Sequence, residues 1–157
     1  MYFGTNTKDG KYMKKFSKLL LVLLLCFTFI GCSNKKNTAE ITKLLKDAGY
    51  TVKYNKDDYT TITISESKSG KDKSQYIAYV EKDEISSIAF IQLPEDSQNY
   101  DDMIIGYIYA NEKSDAQVDD KAQKASEKVL KKLNISIEEL TDYCLDVHKD
   151  KGKSLKD

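Results

Sequence analysis

Between Leu19 and Ile30 the chain runs twelve residues, LLLVLLLCFTFI, without a charged side chain. A helix of that length is about 18 Å long at about 1.5 Å per residue. The hydrocarbon core of a bilayer is about 30 Å thick and takes roughly 20 residues to span. The segment is also apolar all round, whereas a helix on a soluble core keeps a polar face. Lys14, Lys15 and Lys18 precede it, and Gly31, Cys32 and Ser33 follow. A positive segment, a short apolar segment and a small residue are the parts of a secretory signal peptide, with the lysines held on the cytosolic side. Residues 1–31 are therefore set apart from the fold. Met1 to Tyr12 is polar, carries Gly4 and Gly10 and shows no apolar period. Translation is expected to start at Met13.

Phe29-Ile30-Gly31-Cys32 resembles the lipobox of bacterial lipoproteins, and the resemblance covers residues 13–33 alone. It implies that the Cys32 thiol receives a diacylglycerol and that cleavage falls between Gly31 and Cys32. Cys32 then becomes the mature N-terminus, followed by the small polar Ser33. Phe29 stands where that family usually places leucine, and it keeps the apolar character. The implied location is the outer face of the bacterial cytoplasmic membrane, with the membrane itself as a partner through the lipid on Cys32. The alternative is an ordinary secretory signal cut near Gly31, which leaves a free cysteine. Two acyl chains anchor stably where one holds only marginally, each buried methylene adding about 0.8 kcal/mol.

Past Cys32 there remain 125 of the 157 residues, enough for one domain with a modest core. The chain as a whole is neutral, but five of its 25 lysines and one of its 25 acids precede Ser33. The remainder carries 20 lysines against 24 acids, a net charge of −4. That balance argues against nucleic acid as a partner and against a polybasic grip on anionic lipid. Every basic residue other than His148 is lysine, so bidentate arginine clamps on phosphate or carboxylate are missing. Cys26 leaves with the signal and Cys32 is assigned to the lipid, which leaves Cys144 without a disulfide partner. Stability then rests on packing.

The tether from Ser33 to Lys36 reaches at most about 14 Å. Asn37 and Glu40 have the spacing of a capping box, and Ile41, Leu44, Leu45 and Ala48 follow as one apolar stripe before Gly49. This is the first helix. Strands are predicted over Tyr50–Tyr54, Tyr59–Ser65, Gln75–Glu81, Glu84–Leu93 and Met103–Ala110, with a tight turn at Lys82-Asp83. Thr60, Ile62 and Ile64 alternate with Thr61, Thr63 and Ser65, the pattern of a sheet with one wet side. Glu66 to Ser74 is predicted as a mobile loop, and Pro94 ends the fourth strand. The fourth and fifth strands are apolar on both faces and are expected in the middle of the sheet. Ala122, Ala125, Val129 and Leu133 form the stripe of a second helix ending at Asn134. Ser136 and Glu139 cap a third, whose stripe is Ile137, Leu140, Cys144 and Val147. Lys149 to Asp157 is predicted as a frayed tail. The expected fold is α+β: an antiparallel sheet of about five strands, with one N-terminal and two C-terminal helices on one face, in a single domain over residues 37–148.

Few side chains are spaced for chemistry. Cys144 and His148 lie one helical turn apart, as a thiol and its base or a metal pair would. Cys144 also falls on the apolar stripe, and His148 sits where a helix C-terminus favours a cation. The pairs Asp57-Asp58, Asp101-Asp102 and Asp119-Asp120 offer oxygen ligands without calcium-loop spacing. No G-x-S-x-G elbow or phosphate-binding glycine loop occurs, so no catalytic residue, metal or cofactor is assigned. The tyrosines give the remaining signal. If Ile104, Gly106 and Ile108 face the helices, Met103, Ile105, Tyr107 and Tyr109 face away, joined by Tyr79 or Tyr76 from a neighbouring strand. Such a face suits an envelope protein, a peptide or a glycan. The expected role is a membrane-anchored, non-enzymatic binding module. The alternatives are an anchored hydrolase built from paired carboxylates, or a small-solute or metal receptor.

Overall fold

The computed structural model describes residues 35–68, 71–93 and 99–155. In chain order the elements are α1 (Thr38–Asp47), β1 (Tyr50–Lys56), β2 (Thr60–Lys68), β3 (Lys71–Glu81), β4 (Glu84–Gln92) and β5 (Ile104–Ala110). Helices α2 (Asp120–Leu133) and α3 (Ile137–Lys149) follow, with single 3-10 turns at Tyr100–Asp102 and Lys153–Leu155. The five strands form one antiparallel meander in the order β1-β2-β3-β4-β5. This is the α+β architecture expected, with one helix before the sheet and two after it.

Local chemistry sets the element ends. The Glu40 amide donates to Asn37 Oδ1 at 3.0 Å while Glu40 Oε2 accepts from the Asn37 amide at 2.9 Å, closing the capping box of α1. Ser136 and Glu139 do the same for α3. Asn134 ends α2 in the left-handed conformation, which asparagine tolerates. Lys82 and Asp83 both have positive φ, as a two-residue hairpin turn between β3 and β4 requires. Asp83 Oδ1 meets His148 Nε2 at 3.0 Å, so the turn is tied to the end of α3.

Strand alternation sends one set of side chains into the core. Ile62 and Ile64 of β2, Tyr76 and Ala78 of β3, and Ile88 and Phe90 of β4 are all essentially inaccessible. They meet Ile41 and Leu45 of α1, Ala122 and Leu130 of α2, and Leu140, Tyr143, Cys144 and Val147 of α3 in one cluster. Among the described residues, the cluster and its flanking apolar residues lie between Ile41 and Leu155. Helix α1 packs near β1 and α3, α3 lies over β2 to β4, and α2 lies on β5 and β4. The close approach of α2 depends on Gly106. A Cβ there would fall 2.6 Å from Asp119 Cβ and 2.9 Å from Ala122 Cβ.

Four expectations change. Most of the segment expected as a loop is strand, because β2 runs on to Lys68 and β3 begins at Lys71, with Ser67 opposite Asp72 and Lys68 opposite Lys71. The ladder persists there on backbone bonds, which a polar sequence supplies as well as an apolar one. Strand β5 is an edge strand, not a central one. Its two apolar faces arise because one meets α2 and the other stays partly in water. The buried positions of α2 are Ala122, Ser126, Leu130 and Leu133, with Ala125 and Val129 half-buried at the margin. The C-terminal segment is folded back through Leu155. Asp150 accepts from the amides of Lys153 and Ser154, both at 3.1 Å, and Leu155 packs against the core. Gly152 permits this turn, since its φ is +71° and a Cβ would approach Tyr54 Cβ to 2.9 Å.

Candidate functional site

The side chains that alternate away from the helices line a sheet face over which no described helix packs. In register across it run Thr63, Ile77, Ala89 and Tyr107, flanked by Ser65, Gln75, Ile91 and Ile105. On the other flank Thr61 pairs with Tyr79, and Tyr79 with Ser87. The face is divided. Its β1–β2 half is polar, with Thr51, Lys53, Asn55, Thr61, Thr63 and Ser65. Its β3–β5 half is apolar and aromatic, and Ile105 is 63% exposed there.

The rings of Tyr79 and Tyr107 meet edge to face, with centroids 6.5 Å apart. Their strands are separated by β4, which presents Ser87 and Ala89 opposite them. Side chains this small leave room for two rings to close over the intervening strand. Burial, and then neighbouring Tyr107, hold the Tyr79 phenol above its ordinary value. Val118 extends the patch at 43% exposure, held by a parallel bridge to Tyr107 and a 2.8 Å bond from the Asp119 amide to the Tyr107 carbonyl. The arrangement offers aromatic and aliphatic contact area with hydroxyls at its margin. That is the chemistry of a binding surface.

Of the four residues expected on this face, Tyr79 and Tyr107 come together. Met103 is half-buried immediately before β5. Tyr109 departs, because the β4–β5 register shifts between Ile88 and Ala89, which sets Tyr109 opposite the core residue Ile88. Tyr109 consequently packs against the hydrophobic core. Simple alternation along β5 cannot anticipate a bulge. Tyr76 points into the core, 4.9 Å ring to ring from Phe90. Gly31 and Cys32, with the whole signal segment, lie outside the described residues, as do Gly70 and Pro94.

The other sequence candidates are taken up by burial, an ion pair, turns or a helix cap. Cys144 is 1% exposed, and burial pushes its thiol up to about 12. His148 is engaged with Asp83. Asp57-Asp58 lie between β1 and β2, Asp101-Asp102 in a 3-10 turn, and Asp119-Asp120 at the start of α2, where Asp119 Oδ1 accepts from the Ala122 amide at 2.7 Å. Among the described residues no group of three or more His, Cys, Asp or Glu side chains is placed to hold a metal ion. No described helix is long and apolar enough to cross a membrane.

Two features were missed from sequence. Tyr50 Oη lies 2.7 Å from Ser74 Oγ, which donates to Glu66 Oε2 at 3.1 Å. Burial is the main force pushing the Tyr50 phenol up to about 12, and Glu66 adds to it. The cluster pairs a hydroxyl with a carboxylate, but Ser74 is enclosed, so it satisfies buried polar atoms at the sheet margin. Continuing the β2 and β3 alternation one step further puts Glu66 beside Ile64 and Ser74 beside Tyr76, the signal that could have found it. The second feature is a clamp on the chain entering the domain. Lys36 donates to Glu139 from both its amide, at 3.2 Å, and its ammonium, at 3.1 Å. Burial works to raise the Glu139 carboxyl. Hydrogen bonds from Ser136 and Lys36, with the Lys36 charge, outweigh it and hold the carboxyl below the ordinary value.

A cleft of about 500 Å³ also opens between α1 and the C-terminal turn, lined by Thr38, Ala39, Thr42, Lys43, Lys46, Asp47 and Ser154. No protein-family model, curated protein or solved structure matches the chain.

Proposed function

We propose that the protein is a lipid-anchored bacterial envelope lipoprotein whose domain binds a partner, an envelope protein, peptide or glycan, through the open sheet face. The observation that carries the binding half is the patch of Tyr79, Tyr107 and Ile105, over which no described helix packs, on a sheet whose other face holds the core of the described residues. Large apolar side chains left in contact with water, beside a rigid aromatic pair, support an interaction surface. The anchor half is supported by the lipobox-like Phe29-Ile30-Gly31-Cys32.

Each half has its own test. Protein extracted from bacterial membranes should begin at Cys32 and carry acyl mass on that residue, and Cys32→Ala should release it from the membrane fraction. Unmodified, soluble wild-type protein would contradict the anchor. Fluorescently labelled domain should bind intact cells saturably, and the triple variant Tyr79→Ala, Tyr107→Ala, Ile105→Thr should bind at least about tenfold more weakly. Equal binding by a folded triple variant would contradict the binding face.

A further inference from the structure

Helix α2 carries Lys121, Lys124, Lys128, Lys131 and Lys132, all exposed. At 3.6 residues per turn these five fall within an arc of roughly 100°, opposite the buried Ala122, Ser126 and Leu130. Glu127 and Asp120 lie at one edge of the arc. None of the five lysines has an ion pair or side-chain hydrogen bond among the described residues, although the acids outnumber the lysines in the domain. Like charges at i, i+4, as at Lys124–Lys128 and Lys128–Lys132, each cost a few tenths of a kcal/mol. The helix therefore concentrates positive charge that the fold does not use.

The placement of this stripe suggests its use. Its C-terminal end, Lys131 and Lys132, leads through Asn134 and Ile135 into Ser136, the cap shared with Glu139. Glu139 is the residue that clamps Lys36. Only Ser33, Asn34 and Lys35 separate that clamp from Cys32, a reach of about 14 Å when extended.

We infer that the lysine face of α2 is a second membrane contact, resting against the anionic headgroups of the leaflet in which the Cys32 lipid is seated. The inference rests on the lipid-anchored reading, because the tether is what brings α2 to a bilayer. A net charge of −4 disfavours binding of the free domain. With the tether in place the lysines meet headgroups at high effective concentration, and each contributes favourably near the surface. The outer face of α3 bears Glu138, Asp142 and Asp146 with Lys149 among them, so the helical layer is net basic along one helix and net acidic along the next. That asymmetry selects one orientation. Since α2 lies on the helical side of the sheet, the Tyr79–Tyr107 face then points away from the membrane.

The test uses the chain from Cys32, coupled through its thiol to a maleimide-bearing phospholipid in vesicles. The buried Cys144 does not compete for the reagent. Lysines are acetylated with a water-soluble reagent and read by mass spectrometry. On vesicles holding roughly 30 mol% phosphatidylglycerol, Lys121, Lys124, Lys128, Lys131 and Lys132 should react about threefold more slowly than on pure phosphatidylcholine, and high salt should remove the difference. Lys53 and Lys56 on β1 should react alike on both. Replacing Lys124, Lys128, Lys131 and Lys132 with glutamine should abolish the lipid-dependent difference at Lys121 while coupling stays complete. Equal rates on the two lipids, or equal protection of Lys53, would overturn the inference. Chemical coupling supplies the anchor in this assay, so failure here is separate from finding Cys32 unacylated in cells.

Discussion

On the helical side of the sheet Ile62, Ile64, Tyr76, Ile88 and Phe90 are excluded from water, whereas on the open side Ile77, Ile91, Tyr79 and Tyr107 remain partly accessible and Ile105 largely so. On β3 and β4 members of the two sets stand one residue apart, Tyr76 beside Ile77 and Phe90 beside Ile91. Their difference lies in what covers them. Three helices close over the first set, while no described helix packs on the second. Burial is concentrated on one face, and the binding role proposed for the other uses side chains that stay partly accessible.

The largest expected effect belongs to the covered face. Phe90→Ala should cost about 3–5 kcal/mol in urea unfolding, and Ile105→Ala, from the open side of the next strand, no more than about 0.5 kcal/mol. A comparable loss at both sites would break the contrast between the faces. Next is the seam where α2 meets β5. Gly106→Ala forces a Cβ against Asp119 and Ala122 and should cost about 1–3 kcal/mol, seen as a lower unfolding midpoint. Ala89→Ser, at the centre of the open face, should change stability by no more than about 0.5 kcal/mol.

The clamp at the helical end gives a smaller, pH-dependent effect. Glu139 has its carboxyl held below the ordinary value of 4.5. Its contribution is therefore complete above pH 4.5 and is lost as pH falls through the lower folded value. Glu139→Gln should cost about 1 kcal/mol at neutral pH. The gap between wild type and variant should close in acid, as measured by denaturant unfolding across pH. A gap that stays constant would show that the Lys36 charge contributes nothing. The smallest effect is on the open face itself, where a Tyr79/Tyr107 double-mutant cycle should give a coupling of about 0.5 kcal/mol. This pair shapes a surface more than it holds the fold.

Much of the helical layer was legible because its signals are local. Both capping boxes, the left-handed end at Asn134 and the hairpin at Lys82-Asp83 each need only a few neighbouring residues. The open face was half legible. Alternation placed Tyr79 and Tyr107 correctly, but the bulge at Ile88 turned Tyr109 inward, and a bulge depends on the partner strand. The continuation of β2 and β3 through Glu66 and Ser74 was hidden because a backbone ladder leaves no trace in polarity. Leu155 and Gly152 were hidden for a related reason. Lysine-rich sequence reads as a solvated tail unless the groove beside Tyr54 is known. The lysine arc of α2 was hidden as well, because a net charge is a sum and conceals that five lysines share one face of a helix.

Photo-crosslinking in living cells tests the contrast between the faces most directly. A benzophenone amino acid at Ile105 of the full chain should give a discrete, reproducible crosslinked product on the cell surface, and the same group at Lys53, on the polar half of the sheet, should not. The Ile105 product should disappear when Tyr79 and Tyr107 are both alanine. No product from Ile105, or equal products from Ile105 and Lys53, would contradict a binding role for the open face.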